Sequence, residues 1–558
     1  MKEKLIIYQV LPRLFGNRNT TRKENGSIEE NGCGKMNDFS DDILKQFKDF
    51  GVTHVWYTGV IRHATQTNYS SYGISCNHPA VVKGKAGSPY AITDYYDIDP
   101  DIAENVGNRI EEFEELIKRT HHAGMRVIMD FVPNHVARQY HSIMKPQGVK
   151  DLGEDDDVNM AFSPNNNFYY CPGQQFAPTF NLDVPGYGIY NEFPSKATGN
   201  DRFDAHPDTN DWYETVKLNY GVDVCGGGAC HFYPIPDTWI KMRDILIYWS
   251  SKGVDGFRCD MAEMVPQEFW KWVIPKIKSN NPNILFIGEV YQPNLFYDFI
   301  NRCGFDYLYD KVGMCDTLRD IISNGFTARA ITSSWQLTDS FHDNMLNLLE
   351  NHDEQRLACD FLCGDGRKAL PALIVSLCFL TKPFLIYMGQ EFGERGMDKE
   401  GFSGRDGRTT IFDYWCVPSI HRWLENSLTD NEQIIYSEYR KIVHCAVSEK
   451  AIIEGMSFDL MYINSDSSTF NSDYQFSFLR KQDDELLFVV VNFSDCEASV
   501  GVKIPRHAFD YLSIQPTEQI EGFDLLSKEK ISTRLEPDSK IECRVPAKYG
   551  RIYKFILH

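Results

Sequence analysis

Residues 239–260 read WIKMRDILIYWSSKGVDGFRCD, and this stretch contains the structural unit that decides the fold. Its first half has the apolar spacing of an amphipathic helix, Gly253 can end that helix in the left-handed conformation, and residues 254–260 form a largely apolar strand. The same order occurs at Gly51, after residues 41–50, and at Gly124, after residues 109–123. A helix, a glycine and a buried strand therefore recur along this chain.

Further apolar segments extend this pattern to eight strand candidates. They are residues 5–11, 52–57, 125–130, 254–260, 284–290, 305–309, 345–350 and 384–388. Strands that are apolar on both faces and joined by helices are typical of a parallel sheet covered on both sides. Eight of them predict an α/β fold with a closed (β/α)8 TIM barrel, and an open doubly wound sheet is the alternative topology.

Two regions do not follow the barrel pattern. About a hundred residues after the third strand are rich in Asn, Pro, Gly, Asp and aromatic residues, and a loop of that length without structure of its own is uncommon, so we predict a small inserted domain. From about residue 440, short alternating strands with turn signals predict a C-terminal all-β sandwich. The predicted division is barrel 1–135, inserted domain 136–236, barrel 237–440 and sandwich 441–558.

The composition excludes several classes of protein. The chain has 558 residues, a formal net charge of −21 at pH 7 and 42% hydrophobic residues, which is typical of a globular protein with a large core. Excess acid repels phosphate backbones and anionic lipid surfaces, so we expect no nucleic-acid partner. The longest apolar run, around Ser376, is shorter than the roughly 20 residues of a membrane helix, so we expect no membrane partner.

The cysteines and the N-terminal segment predict a cytoplasmic location. Fifteen cysteines are scattered without the regular spacing of a disulfide framework. The first ten residues lack both the long apolar stretch and the small-residue cleavage pattern of a secretory signal.

Ionisable residues follow four of the predicted strands at their carboxyl ends, where a barrel of this kind places its reactive groups. The four endings are DFVPNH at 130–135, GFRCD at 256–260, FIGE at 286–289 and ENHD at 350–353. Burial of a charge is costly unless the group is paired or used. Four such endings in one chain therefore predict an active site.

Two of these carboxylates have different predicted surroundings. Arg258 and Asp260 are two residues apart on a strand and share a face, so we expect the guanidinium to favour the charged Asp260 that a nucleophile requires. Glu289 follows Phe-Ile-Gly with no adjacent cation, a setting that favours the protonated form of a general acid. Two such carboxyls about 5–5.5 Å apart suit retaining glycoside hydrolysis, and Asp353 would be a third carboxylate at this site.

Together, the four endings resemble the four signature motifs of the α-amylase family of glycoside hydrolases (family 13), in the same order and on the same strands. Weaker matches are Lys217-Leu218-Asn219, Ser88-Pro89-Tyr90 and Met388-Gly389-Gln390-Glu391. The resemblance covers about residues 4–415, and a C-terminal β-sandwich is usual in the family.

This resemblance implies a role for each matching residue. Asp260 would be the nucleophile, Glu289 the acid/base, and Asp353 the carboxylate that stabilises the transition state. The implied substrate-binding residues, of which the first would stack beneath the sugar ring, are Tyr90, His135, Arg258 and His352. The implied activity is retaining cleavage of α-1,4-glucosidic bonds in maltooligosaccharides or starch fragments, with no cofactor required.

The chain departs from the family pattern in two places. Met261-Ala262-Glu263-Met264 stands where many members have a Lys-His pair that contacts substrate and helps to bind calcium, and Ser88 stands where many have a histidine. Asn134 is a calcium-ligand candidate, but one amide oxygen does not make a site for an ion that takes six to eight oxygens. A structural calcium ion is therefore doubtful.

Two other functions stay open. A transglycosylase or isomerase, similar to a 4-α-glucanotransferase or a trehalose synthase, would use the same three carboxylates with a second sugar as acceptor. A catalytically silent carbohydrate-binding relative would keep the fold without activity, although the presence of all three carboxylates argues against it. Aromatic residues of the inserted domain could stack on sugars or form its small core: Phe168, Trp212 and Tyr213.

Overall fold

The computed structural model describes residues 3–557 and contains a closed barrel of eight parallel strands. The strands, numbered β1 to β8, are Ile6–Val10, His54–Tyr57, Arg126–Phe131, Gly256–Cys259, Leu285–Gly288, Tyr307–Tyr309, Met345–Leu348 and Phe384–Tyr387. Each strand pairs with its neighbours in chain order, and β1 closes on β8. The predicted TIM barrel is confirmed, and the open-sheet alternative is wrong. Met1, Lys2 and His558, which end the first and last predicted domains, lie outside the described residues.

The segment that predicted the fold forms the expected helix and strand. Helix Asp237–Ser251 buries an apolar stripe that includes Met242 and Leu246, the chain turns at Gly253 with φ 98°, and all four residues of β4 are buried. The other helices between and after the barrel strands are Asp41–Phe50, Arg109–His122, Gln267–Asn280, Pro293–Asp298, Asp316–Ser323, Ala330–Gln336, Leu370–Cys378, Pro418–Leu424 and Asp430–Ser448. The remaining α-helices are Pro12–Phe15, Ile28–Asn31, Lys450–Ile453, Met461–Asn464 and Arg506–Leu512. Within residues 3–557, no helix has both the length and the apolar character required to cross a bilayer.

Successive residues of each strand face opposite sides of the barrel wall, because side chains alternate along a β-strand. One buried cluster fills the interior and contains Ile7, Trp56, Ile128, Ile287, Tyr309, Leu346, Leu348 and Leu385. The intervening strand residues, for example Val127 and Phe257, belong to a larger cluster with the helices. Asp130 and Glu289 follow Ile128 and Ile287 by two residues, so they lie at the carboxyl end of the interior.

The segment between β3 and the next helix consists of short antiparallel ribbons, and no α-helix occurs in its residues 136–236. The ribbons pair His135–Ala137 with Thr215–Lys217, Tyr170–Cys171 with Ser195–Lys196, Asp183–Val184 with Gly188–Ile189, and Val222–Asp223 with Ala229–Cys230. A further ribbon after β2 pairs Ile61–His63 with Ile92–Ile98. The pairing of His135 with Lys217 attaches the inserted segment directly to the end of β3.

The C-terminal region consists mainly of β-strands, as predicted, with the three short helices Lys450–Ile453, Met461–Asn464 and Arg506–Leu512. Its strands, β9 to β16, are Met456–Asp459, Gln475–Gln482, Glu485–Asn492, Ala498–Lys503, Thr517–Asp524, Lys530–Leu535, Lys540–Val545 and Tyr549–Ile556. Six of them form one sheet in the order β9-β10-β11-β16-β13-β14, and β12 pairs with β15 in a separate ribbon that contacts the sheet. The helix Asp430–Ser448 runs across the predicted boundary at residue 440.

Candidate active site

The site lies at the carboxyl ends of the barrel strands, where Arg258 contacts three carboxylates. Its Nη1 is 2.7 Å from Asp260 Oδ1 and 3.4 Å from Asp130 Oδ1, and its Nη2 is 2.8 Å from Glu289 Oε2. The guanidinium is buried among three aromatic rings whose centroids lie 5.4–5.6 Å from its carbon: Trp56, Tyr90 and Tyr309. One buried cation therefore brings together acids from the ends of β3, β4 and β5.

The prediction that Glu289 has no cation beside it is wrong. Strands β4 and β5 pair in parallel with Arg258 opposite Ile287, so Arg258 and Glu289 project from neighbouring strands into the same interior. Glu289 also accepts hydrogen bonds from the backbone N–H of Met261, at 2.8 Å, and from the hydroxyl of Tyr291, at 2.6 Å. Polar contacts rather than an apolar pocket surround this carboxylate.

The environment of Asp260 also differs from the prediction. Burial raises the pKa of Asp260 well above its usual range, and the nearby charges of Glu289 and Asp130 raise it further. Arg258 lowers the pKa of Asp260, as expected, but its effect is smaller than that of burial. Three acids share one cation, and Asp130 and Asp260 keep their protons to a higher pH than isolated carboxyls do.

Asp130 gives the protein a predictable dependence of stability on pH. Burial raises the pKa of Asp130 from 3.8 to about 6, although Arg258 and the indole N–H of Trp56 oppose this shift. The folded protein thus keeps a proton that the unfolded chain releases, and the stability from this proton is lost as the pH rises from about 4 to about 6. Asparagine does not titrate, so between these pH values the free energy of unfolding of Asp130→Asn should change by up to about 3 kcal/mol less than that of wild type.

Calorimetric unfolding of both proteins between about pH 4 and pH 7 measures this difference. The exposed residue Asp466 provides the control, because Asp466→Asn should leave the pH dependence of wild type unchanged. Parallel curves for wild type and Asp130→Asn would contradict the prediction.

His352 lies between the buried side chain of Gln9 and the more exposed side chains of the site. Its Nδ1 lies 2.8 Å from the amide nitrogen of Gln9, and its Nε2 lies 2.6 Å from the hydroxyl of Tyr90 and 3.1 Å from Asp353 Oδ2. Burial, with a smaller contribution from Arg258, lowers the pKa of His352 well below its usual value. The imidazole is therefore neutral, and donation by Gln9 to Nδ1 leaves Nε2 with the hydrogen.

A cavity of about 300 Å³ lies beside this group of residues, at the mouth of the barrel. The predicted residues that line it are Tyr90, His135, Asp260, Glu289, His352 and Asp353, whereas Arg258 is buried and is not part of the lining. Its other lining residues are Lys83, Ser88, Trp212, Glu214, Thr215, Met261, Tyr291, Ile411 and Phe412. The side chain of Asp353 is 44% exposed, compared with 9% for Asp260 and 4% for Glu289. Asp353 thus lies on the solvent side of the other two acids.

Partial burial in this cavity raises the pKa of Asp353, and the charge of Glu289 raises it further. His135 forms another wall, with its ring 5.2 Å from that of Trp212. Burial, followed by the charge of Lys217, lowers the pKa of His135 to about 3, so this imidazole is neutral as well. Trp212 is thus a wall of the cavity, whereas Phe168 is buried in the core of the inserted segment.

Sequence reasoning missed several cavity residues for an identifiable reason. Tyr291 follows Glu289 by two residues, a spacing that could have placed both on one side of an extended chain. Lys83 and Phe412 carry no such signal, because each comes from a loop far along the chain from the four strand endings.

Asn134 does not fit the role of a calcium ligand. Its side-chain oxygen accepts a hydrogen bond from the ammonium of Lys217, and its side-chain nitrogen donates to the carbonyl of Gly199 at 2.8 Å. A cation at Asn134 would therefore meet a positive charge, and calcium takes six to eight oxygen ligands. Among residues 3–557, no group of three or more His, Cys, Asp and Glu side chains is arranged to hold a metal ion.

Comparison with known proteins gives relatives that are named as amylases, a neopullulanase and cyclomaltodextrinases, and others that are named as a glucanotransferase and maltosyltransferases. Alpha-amylase 3 of Dictyoglomus thermophilum is 23% identical over 475 residues, which cover 81% of this chain and 78% of that protein. Neopullulanase 2 of Thermoactinomyces vulgaris is 21% identical over 411 residues, which cover 70% of this chain and 57% of that protein. Alpha-amylase MalA of Haloarcula japonica is 26% identical over 402 residues, or 71% of this chain. The chain aligns with only 45% of MalA, so it spans about half the length of the latter two relatives.

Solved structures share the fold over nearly the whole chain. A maltogenic alpha-amylase, AmyB from Thermotoga neapolitana, superposes with a TM-score of 0.64 at 20% identity and covers 99% of each chain. An alpha-amylase from Geobacillus thermoleovorans, solved with acarbose, has a TM-score of 0.64 at 18% identity and covers 99% of this chain and 98% of its own.

The family model of the alpha-amylase catalytic domain matches residues 9–441, which include the barrel except for the first residues of β1, the inserted segment and all four acidic strand endings. The match covers well over half of the chain, and the matching residues converge on one cavity. The chain therefore belongs to the α-amylase family of glycoside hydrolases.

Proposed function

We propose that this enzyme hydrolyses α-1,4-glucosidic bonds in maltooligosaccharides or starch fragments, with retention of anomeric configuration through a covalent glycosyl-enzyme. The observation that carries the proposal is the convergence of Asp260 and Glu289 on adjacent nitrogens of Arg258 at the wall of one cavity. A carboxylate nucleophile and a carboxylic acid on one sugar-sized site are what retaining hydrolysis requires.

In the first step, a carboxylate oxygen of Asp260 attacks the anomeric carbon. The bond from that carbon to the glycosidic oxygen breaks, and Glu289 gives its proton to the departing oxygen. In the second step, Glu289 takes a proton from water, the water oxygen bonds to the anomeric carbon, and the bond to Asp260 breaks. Both carboxyl groups end in their starting protonation states.

The contacts of Glu289 indicate which of its oxygens carries the acid proton. Oε2 accepts the N–H of Met261 and lies 2.8 Å from Arg258, so two donors already occupy this oxygen. Oε1 is therefore the oxygen that transfers the proton. The Tyr291 hydroxyl beside Oε1 can hold that oxygen in place until the glycosidic oxygen arrives.

The remaining residues suit sugar binding rather than bond cleavage. Neutral His135 and His352 can donate hydrogen bonds to hydroxyl groups, and the Tyr90 ring, stacked on His352 at 5.1 Å, offers an apolar face to a sugar ring. Asp353 is accessible from the cavity, where its carboxylate can hold sugar hydroxyls or stabilise positive charge in the transition state.

The substrate class and the location are also part of the proposal. Relatives named alpha-amylase, neopullulanase and cyclomaltodextrinase, and a similar structure solved with acarbose, support an α-glucan substrate. All fifteen cysteines lie within the described residues and are free thiols, which supports a reducing, cytoplasmic location. The excess of acidic residues supports a function without a nucleic-acid or membrane partner.

Product analysis tests this function against its alternatives. Purified enzyme is incubated with maltose, maltoheptaose, starch and pullulan, and the products are resolved by size and, by NMR, by anomeric form. We expect only shorter products, released first as α-anomers. Longer products would instead indicate transfer, trehalose from maltose would indicate isomerisation, and β-anomers would contradict retention. If no substrate is turned over, the remaining alternative is the catalytically silent carbohydrate-binding relative.

A further inference from the structure

Lys217 carries a buried positive charge that the proposed chemistry does not use. The residue is 6% exposed and ends the inserted strand Thr215–Lys217. Its ammonium donates to the side-chain oxygen of Asn134 and to the carbonyl of Met264, at 3.3 Å, and lies 2.6 Å from Asp201 Oδ1. Burial lowers the pKa of Lys217, whereas the charge of Asp201 raises it.

The three oxygens around this ammonium come from separate parts of the fold. Asn134 follows β3 of the barrel, Met264 ends the turn after β4, and Asp201 belongs to the inserted segment. Asp201 has a positive φ of 63°, a conformation that aspartate tolerates better than most residues. An amide oxygen, a backbone carbonyl and a carboxylate from three elements therefore converge on a single charge.

The oxygens match an ammonium better than a divalent ion. An ammonium has three N–H donors, and here it meets three acceptors. Calcium takes six to eight oxygens at 2.3–2.6 Å and would have to displace the lysine, because two cations in one site repel each other.

We propose that the Lys217 ammonium is a built-in cation, which clamps the inserted segment to the barrel and keeps divalent ions out of the site formed by Asn134, Asp201 and Met264. The clamp acts close to the reaction. Met264 ends the turn that begins at Met261, whose N–H binds Glu289. In the same turn, Glu263 accepts the backbone N–H groups of residues 291 and 292, at 2.9 and 3.1 Å. Lys217 thus stabilises the turn that positions the acid/base.

The test compares the thermal stability of wild type and Lys217→Ala, in excess EDTA and in calcium up to about 10 mM, above the weakest calcium affinities of protein modules. For wild type we expect the same Tm in EDTA and in calcium. For Lys217→Ala we expect a Tm lower by on the order of 5 °C in EDTA, because the buried ammonium and its contacts with Asn134, Met264 and the half-exposed Asp201 are lost, and a rise when calcium enters the vacated site. Calcium should not raise the Tm of the double variant Lys217→Ala/Asp201→Asn.

The matched control is Lys150→Ala, which removes an exposed lysine of the inserted segment that pairs with Asp155. This variant should melt like wild type and should not respond to calcium. A Lys217→Ala protein that is destabilised but indifferent to calcium would overturn the proposal, because its oxygens would then form no cation site.

Wild type provides a test that does not depend on any variant folding. A wild-type Tm that falls in EDTA and recovers with calcium would overturn the proposal if Asp201→Asn abolishes the response, because calcium would then occupy the site. Limited proteolysis of residues 136–236 gives a second readout, and Lys217→Arg, which keeps the charge, should be cleaved more slowly than Lys217→Ala.

Discussion

Replacement of Glu289 by glutamine should reduce kcat/KM on maltoheptaose by about 10²–10⁴-fold, the usual contribution of a general acid. The side-chain oxygen of glutamine can still accept the Met261 N–H that Glu289 accepts, so the local structure should be kept. An amide cannot transfer a proton to the glycosidic oxygen, so the loss should appear in catalysis rather than in folding.

The leaving group distinguishes an acid catalyst from a residue that only binds substrate. An aryl maltoside with a good leaving group departs without protonation, so Glu289→Gln should lose much less activity in the first step on this substrate. Circular dichroism and Tm should match those of wild type. The control is Glu268→Gln, which alters an exposed carboxylate of the helix Gln267–Asn280 outside the cavity lining. Equal losses on both substrates would refute the acid role.

Replacement of Arg258 by methionine should have the largest effect on stability of any single change in the site. Asp130, Asp260 and Glu289 would lose their shared cation while staying buried. Removal of one partner from a buried ion pair typically costs about 3–5 kcal/mol, because the remaining charge is uncompensated. Activity should fall below detection, since the orientation of both reacting carboxyls depends on this guanidinium.

The loss of stability in Arg258→Met should depend on pH in a defined direction. Arg258 lowers the pKa of Asp130 and of Asp260, so its removal raises both further. The variant should therefore be least affected near pH 4, where these acids are protonated, and should lose stability relative to wild type as the pH rises toward 7.

Urea denaturation at both pH values measures this difference. The control is Arg18→Met, which removes an arginine from an exposed pair with Glu425 at 2.8 Å and should cost no more than about 1 kcal/mol at either pH. A destabilisation of Arg258→Met that is the same at pH 4 and pH 7 would contradict a role in charge compensation.

The barrel could be predicted because its signals are local. A helical stripe, a glycine that accepts a positive φ and a short apolar strand are each readable within about twenty residues, as the segment around Gly253 illustrates. The endings at Asp130, Asp260, Glu289 and Asp353 could be predicted to meet, because parallel strands of one barrel bring their carboxyl ends to the same side.

The contacts between these endings could not be predicted from the local sequence in the same way. The two-residue spacing predicts the pairing of Arg258 with Asp260, but the contact of Arg258 with Glu289 depends on the register between β4 and β5. Lys217 was part of a weak motif, and nothing near it in the chain indicates that it meets Asn134, Asp201 and Met264.

Sequence alone thus determined the order of strands and helices, the closed barrel and the acids at its strand ends, because these depend on side-chain periodicity and on the types of neighbouring residues. Tertiary structure decided which charges share a partner, which loops wall the cavity, and that an ammonium lies beside Asn134. These contacts join residues that are tens to hundreds of positions apart, and their energies depend on burial and distance, which arise only when the chain is packed.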